Sequence, residues 1–295
     1  MRSGAPATAM LAALAASCAG NEPQPAPTVA TTAPSPSAAA EPVAFAVTRA
    51  ELTQGGWLKG TVTRGTPALS LDGKPVPIEP DGRFFLAFDR DAGPAATLAA
   101  RLADGRSETQ MLAIAPRAWD IEHVDVAQRP SLPSAEFQRI RAGELARIAA
   151  ARAKATGAQG WRQDFAWPAK GRISGKFGSQ RVYRGEPGSY HSGLDIATGG
   201  SGAPFVAPAD GVVVLAAEAP FTLEGKLLMI DHGAGLNSAF LHASELLVGE
   251  GDTVRRGQVI GRIGMTGRAT GPHLHWSLKW REARLDPLLF VGPMD

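Results

Sequence analysis

The chain has 295 residues, more than one average domain of about 100–200 residues, so two folded units with linkers are expected. Apolar residues make up 44% and charged residues 20%, which excludes a wholly disordered or fibrous protein. Lys+Arg 30 against Asp+Glu 28 leaves a formal charge of +2, too small and too dispersed for a nucleic-acid surface, so no nucleic-acid partner is expected.

Residues 1–17 read as an export signal. Arg2 gives a short basic start, Met10 to Ala16 is apolar, and small residues follow. The stretch is shorter than the roughly 20 apolar residues of a membrane span. The one cysteine, Cys18, closes Leu14-Ala15-Ala16-Ser17-Cys18, which resembles a bacterial lipobox. That resemblance implies lipidation of Cys18, membrane attachment, and an exported protein of the periplasm or cell envelope, as an outer-membrane lipoprotein. With no second cysteine, stability has to come from packing rather than disulfides. Residues 18–42 (through NEPQPAPTVATTAPSPSAAAEP) contain almost no large apolar side chain and read as a disordered tether.

Over residues 43–126 short alternating strands are broken by turn signals. Leu69-Ser70-Leu71 meets Asp72-Gly73, Val76 and Ile78 meet Asp81-Gly82, and Leu98 to Leu102 meets Asp104-Gly105. Asp-Gly between strand-like runs is a hairpin signal, so a small antiparallel β-sandwich-like domain is expected. It carries no His, Cys or carboxylate cluster at ligand spacing. Residues 127–160 form a helical connector in which the pattern is helical from Pro133 to about Ala155. Ser134 suits the N-cap, Glu136 the first turn, and Phe137, Ile140, Leu145 and Ile148 fall on one face. The face can serve as a connector packed on one domain, or it can cover a functional groove.

Residues 161–295 are Gly-rich and β-rich. Strands are expected at Gly211–Ala216, Lys226–Ile230, Val259–Ile263 and His275–Trp280, separated by Gly-containing turns, with no helix of useful length. The fold class is therefore mainly β.

Five of the six histidines fall in the last 105 residues. His191 and Asp195 stand at i and i+4 around Gly193, in a turn-rich context that indicates a loop entering a strand. Curling at the glycine can bring imidazole and carboxylate to one ion, both being good ligands for a borderline metal such as zinc. His273 and His275 stand at i and i+2, which in a strand places both on one side about 6.6–7 Å apart. Both can ligate, or one can ligate while the other stands beside a bound water. His242 ends Asn237-Ser238-Ala239-Phe240-Leu241-His242, an apolar strand in which a lone histidine is more often structural. His232, in an Asp-His-Gly turn, reads as structural, and His123 lies outside this region.

The ordered strings HSGLDIA, APADGVVV, IDHGAGLNSAFLHASEL, GDTVRRGQVIGRIGMTGRATGPHLHW and DPLLF closely resemble the lysostaphin/LytM zinc metallopeptidase domain over roughly residues 170–290. The resemblance implies a C-terminal LytM-like β-domain related to barrel-sandwich folds and a Gram-negative envelope endopeptidase acting on peptide cross-links of peptidoglycan. It implies one zinc ion per chain, held by His191, Asp195 and His275, with His242 and His273 as non-ligand catalytic histidines in undivided roles. Three protein ligands leave a fourth position for water, the arrangement of a catalytic zinc site. Tyr183, Tyr190 and Arg181 precede the first ligand, where related enzymes can use a tyrosine at the oxyanion. This chain has Phe240-Leu241-His242-Ala243 where the family often has Tyr-x-His-Leu.

Two other readings compete. Some LytM-like proteins lack metal ligands and act as scaffolds that bind and activate cell-wall amidases, which makes amidases or other regulators candidate partners; all five polar groups are present here. Gly251 to Ile260 resembles hairpins of lipoyl or biotinyl carriers, but such a carrier presents a lysine on a turn, and none occurs between Lys226 and Lys279.

Overall fold

Alternating polarity and closely spaced turn residues build β-structure throughout, and the protein is mainly β. The computed structural model describes residues 44–127 and 134–294, so the export signal, Cys18 and the tether lie outside the described residues. No helix among the described residues is long and apolar enough to cross a membrane.

Seven strands open the described chain: β1 (Phe45–Glu51), β2 (Trp57–Val62), β3 (Ala68–Leu71), β4 (Lys74–Val76), β5 (Arg83–Ala87), β6 (Ala95–Arg101) and β7 (Ser107–Ala113). They form two antiparallel sheets, β1-β2-β5 and β4-β3-β6-β7. Asp72 and Gly73 both take positive φ (48° and 75°), the backbone a two-residue β3–β4 hairpin demands. The Asp104-Gly105 signal likewise closes the β6–β7 hairpin. Asp81-Gly82 does something else. It closes a tight turn, with the Glu79 N–H donating to Arg83 O at 2.8 Å, but β5 then pairs with β2, so this turn moves the chain from one sheet to the other. Inward residues such as Leu58, Leu69, Phe84, Leu98 and Leu112 are buried between the sheets.

A short strand, β8 (Ile121–Val124), leaves this assembly and pairs in parallel with β10 of the C-terminal half. Helix α1 (Ala135–Arg152) begins as expected: Ser134 caps it, its side chain accepting the Phe137 N–H at 3.1 Å, with Glu136 in the first turn. Its inward face differs from the apolar stripe expected. Ile140 and Leu145 are 44% and 50% exposed, whereas Glu144 and Ala151 are buried and Ile148 packs beside them. The helix lies over a sheet face and a turn that offers polar groups of Thr222 and Glu224 beside the apolar surface, so charged side chains with partners there fit better than leucine.

The C-terminal half contains β9 (Arg172–Gly175), β10 (Gln180–Tyr183), β11 (Glu186–Pro187), β12 (Leu194–Ala197), β13 (Pro204–Val206), β14 (Gly211–Phe221), β15 (Gly225–Asp231), β16 (Leu236–Ala243), β17 (Glu245–Leu246), β18 (Thr253–Val254), β19 (Val259–Arg262), β20 (Leu274–Trp280) and β21 (Ala283–Leu285). A large sheet runs β18-β14-β15-β16-β20-β12-β9, with β21 on β20, and a small sheet runs β13-β19-β17. One face of the large sheet carries Ile196, Leu228, Phe240, Leu274 and Trp276 into the main core with Phe205 and Ile260 of the small sheet. The opposite face carries Leu227, Met229, Ala239 and Leu241 beneath Ile148 and Ala151 of α1. By alternation that second face also carries Asp195 and His275.

The sandwich and the large sheet share their core. Trp57 meets Phe290 at 5.4 Å between ring centroids, Phe85 meets both Trp161 and Trp280 at 6.3 Å, and Trp57 Nε1 donates to Leu289 O at 3.0 Å.

Candidate metal centre

Asp195 on β12 and His275 on β20 are direct cross-strand partners, and Leu241 of β16 stands in the same row. His191 arrives from the loop before β12. Its Nε2 lies 3.1 Å from Asp195 Oδ1 and 3.1 Å from His275 Nδ1, while His275 Nδ1 lies 2.9 Å from Asp195 Oδ1. These three residues form a group that could hold a metal ion among the described residues.

The donor set fits zinc. His191 Nδ1–H donates to Lys176 O at 3.0 Å, which leaves Nε2 as a bare lone pair in the neutral ring. Two imidazole nitrogens and a carboxylate oxygen thus converge, an arrangement one divalent cation satisfies at once when all three offer lone pairs. Tetrahedral ligands at zinc distances are separated by about 3.3 Å, close to the observed triangle. Two glycines make room: a Cβ at Gly193 would lie 2.6 Å from His275 Nε2, and one at Gly175 would collide with Asp195 Oδ2.

His242 and His273 complete the cluster. Their rings lie 4.9 Å apart, His242 lies 6.2 Å from His275, and His273 Nε2 lies 3.6 Å from Asp195 Oδ1. Each donates Nδ1–H to a backbone carbonyl at 2.8 Å, His242 to Thr266 and His273 to Gly271, so both present Nε2 as the free nitrogen. His242 needs a special backbone. In a regular strand it would follow Phe240 to the core face, but its φ of +66° is left-handed and turns it toward the site.

Burial opposes ionisation of Asp195, yet the close approach of the His191 and His275 imidazoles outweighs it and holds the carboxyl well below its usual range. Burial likewise disfavours charge on His191, but Asp195 raises its pKa overall. Burial pushes His275 down against the pull of Asp195, and pushes His242 down against the Thr266 carbonyl.

The other candidates lie outside this five-residue cluster. His232 is fully buried, donates Nδ1–H to Asp210 O at 2.8 Å and accepts from Ser238 Oγ at 2.7 Å, a structural role. His123 pairs with Val182 in the β8–β10 ladder. Tyr190 is committed to Arg284, which donates to its hydroxyl at 3.2 Å, and to the Arg90 guanidinium over its ring at 4.6 Å. Tyr190, Tyr183 and Arg181 all line a cleft of about 1060 Å³ that opens onto His191 and Asp195. Glu122 pairs with Arg181 at 2.6 Å, while Lys176 and Arg268 line the same cleft without an ion pair among the described residues. Lys176, Thr266, Gly271 and Gly175 also shape the site, in ways that no side chain marks in the sequence. Three of them act through backbone carbonyls, which no residue type announces; the glycine-rich run from Gly264 to Gly271 was the one available signal.

Residues 189–287 match peptidase family M23. Over 113 residues the chain is 42% identical to peptidoglycan DD-endopeptidase ShyA of Vibrio cholerae, covering 37% of this chain and 25% of that one. Over 132 residues it is 36% identical to a lipoprotein NlpD/LppB homolog of Pseudomonas aeruginosa, covering 45% of this chain and 40% of that one. The chain thus spans well under half the length of these curated relatives. A crystal structure from Pseudomonas aeruginosa, described as a peptidase M23, superposes with a TM-score of 0.62 at 29% identity, covering 82% of this chain and 96% of that one.

Proposed function

We propose, from the premise that residues 189–287 are a peptidase family M23 domain, that the protein is a zinc-dependent endopeptidase hydrolysing peptide cross-links of bacterial peptidoglycan in the cell envelope. The observation that carries this reading is the triangle of His191 Nε2, Asp195 Oδ1 and His275 Nδ1, with edges of 2.9–3.1 Å, beside two imidazoles whose Nε2 atoms are free.

His191, Asp195 and His275 would hold one zinc ion. A zinc ion held there supplies Lewis acidity, polarising a scissile carbonyl and making water a usable nucleophile at neutral pH. His242 and His273 supply the proton traffic. A neutral ring with Nδ1–H fixed on a carbonyl accepts a proton at Nε2, and once charged it donates from that nitrogen to a developing oxyanion or a leaving amine. Burial pushes the His242 pKa down and so favours the neutral form that accepts.

The cleft supports a substrate with free carboxylates. Lys176 and Arg268 have no anionic partner among the described residues and flank the approach to His191. D-alanyl to diaminopimelate cross-links carry such carboxylates and oligoglycine bridges do not; the likeness to a DD-endopeptidase points the same way. Residues 1–17 read as an export signal and Cys18 read as a lipid attachment point would tether the enzyme outside the cytoplasm, and the likeness to an NlpD/LppB lipoprotein supports that address. Residues 43–126, 127–160 and 161–295 would serve as brace, connector and peptidase.

The test is digestion of isolated sacculi by the purified full-length chain. Release of un-cross-linked muropeptides that stops with chelator and returns with zinc is expected. If one equivalent of zinc binds and no cross-link opens, the peptidase reading fails, and stimulation of a cell-wall amidase then becomes the measurement that matters.

A further inference from the structure

Helix α1 lies outside the residues matched by the peptidase family, yet it is wired into the site. Arg141 forks onto Glu224, with Nη1 and Nη2 donating to the two carboxylate oxygens at 2.5 and 2.6 Å, and Nη1 also reaches Glu144 at 2.9 Å. Glu144, although buried, accepts both the N–H and the Oγ1–H of Thr222 at 2.6 Å. These bonds hold the turn between β14 and β15 from outside.

The inner side of that turn holds the site. Glu224 O accepts the backbone N–H of His242 at 2.8 Å, and Leu223 O accepts the N–H of Arg268 at 2.9 Å. Thr266 Oγ1 accepts the N–H of Lys226 and donates to Ala243 O, both at 2.9 Å, while its carbonyl fixes His242 Nδ1. Gly225 and Gly267 pack so closely against this knot that neither tolerates a Cβ. His242 sits in the middle with its left-handed φ of +66°. Such a conformation persists only where surrounding bonds over-determine it. Relaxation to ordinary strand geometry would carry the imidazole toward the core side of β16.

We propose that Arg141 and Glu144 are positioning residues for His242: docked α1 fixes the β14–β15 turn, the turn fixes the backbone of His242, and turnover depends on a helix that touches neither metal ligand nor cleft. This rests on the reading of His242 as a proton-transfer group. The coupling itself is structural and can be read without any activity.

The experiment uses the full chain with Arg141→Met, Glu144→Gln and the conservative Arg141→Lys, each assayed well below its melting temperature. Arg141→Met and Glu144→Gln are expected to lower kcat about tenfold, with KM and zinc content unchanged, and Arg141→Lys to recover most of it. In parallel, the ¹⁵N shifts of the His242 ring should change from a single Nδ1–H tautomer in the parent to a mixture in Arg141→Met. Unchanged ring shifts and a kcat within twofold of the parent, with only a lower melting temperature, would make α1 a plain brace and overturn the proposal. Should the parent show no turnover at all, the peptidase reading fails, while the ring shifts still decide the coupling.

Discussion

Asp195 and His275 face each other across the β12–β20 ladder, with Oδ1 and Nδ1 2.9 Å apart. Two of the three prospective ligands therefore sit on paired strands, whose register fixes their separation more firmly than a loop could. The third, His191, comes from a loop and borrows its orientation from the carbonyl of Lys176.

The proposed roles separate ligands from proton carriers. Asp195→Ala and His275→Ala should each lose bound zinc and activity together. His242→Ala and His273→Ala should keep stoichiometric zinc and lose about 10²–10⁴-fold in kcat. Elemental analysis paired with muropeptide turnover checks this, and zinc retained by Asp195→Ala would show the ligands to be misassigned.

Gly193 sits where a Cβ would press on His275 Nε2 and on the Trp276 carbonyl, both at 2.6 Å. Gly193→Ala should therefore weaken zinc binding about 10–100-fold by rotating the ring, with a loss of stability of about 1–3 kcal/mol from overpacking. Competition with a chromogenic chelator measures the first and a urea melt the second; binding as tight as the parent's would refute the steric account.

Zinc occupancy should fall on acidification. In the proposed site a proton and a metal compete for Nε2 of His191, and the raised pKa of that ring means that protonation starts to weaken zinc binding at a higher pH than it would for an ordinary histidine. Titration of the apo protein with zinc from pH 8 to 5.5 should show progressively weaker binding. A flat profile would contradict the placement of His191 among the ligands.

His232 sets a separate acid limit on the fold. Burial lowers its pKa to about 4, so the folded state holds it neutral while the unfolded chain takes up a proton below about 6.5. Its contribution is complete above the unfolded value and is lost as pH falls toward 4, at up to roughly 1.4 kcal/mol per pH unit. His232→Gln should be less stable at pH 7 yet lose less on going to pH 4.5; parallel pH dependences in urea melts would remove this histidine from the explanation.

Lys176 and Arg268 should matter for anionic cross-links. Replacing both by glutamine is expected to raise KM several-fold on diaminopimelate cross-links, with kcat little changed and no effect on an uncharged bridge peptide. An equal loss on both substrates would assign the two cations a structural role.

Much of this site was legible in the chain because its chemistry rests on distinctive side chains: His191 and Asp195 around a glycine, His273 and His275 two apart. What stayed hidden was what holds them. The carbonyls of Lys176, Thr266 and Gly271 belong to no residue type, and the positive φ of His242 leaves no trace in composition. Ser134 and Glu136 mark the start of the helix. Its inward face is not so marked: hydrophobicity points to Ile140 and Leu145, whereas the β14–β15 turn it meets offers Thr222 and Glu224 and selects Arg141 and Glu144. The three Asp-Gly signals show the same limit: all mark turns, but only long-range pairing decides that the one at Asp81 leads to a different sheet.

The stacking of Trp57 and Phe85 on Phe290, Trp161 and Trp280 has a practical corollary. A fragment trimmed to its histidine-bearing half would be left with a raw aromatic scar, prone to clumping in solution, so a shortened chain should keep the first β-unit attached.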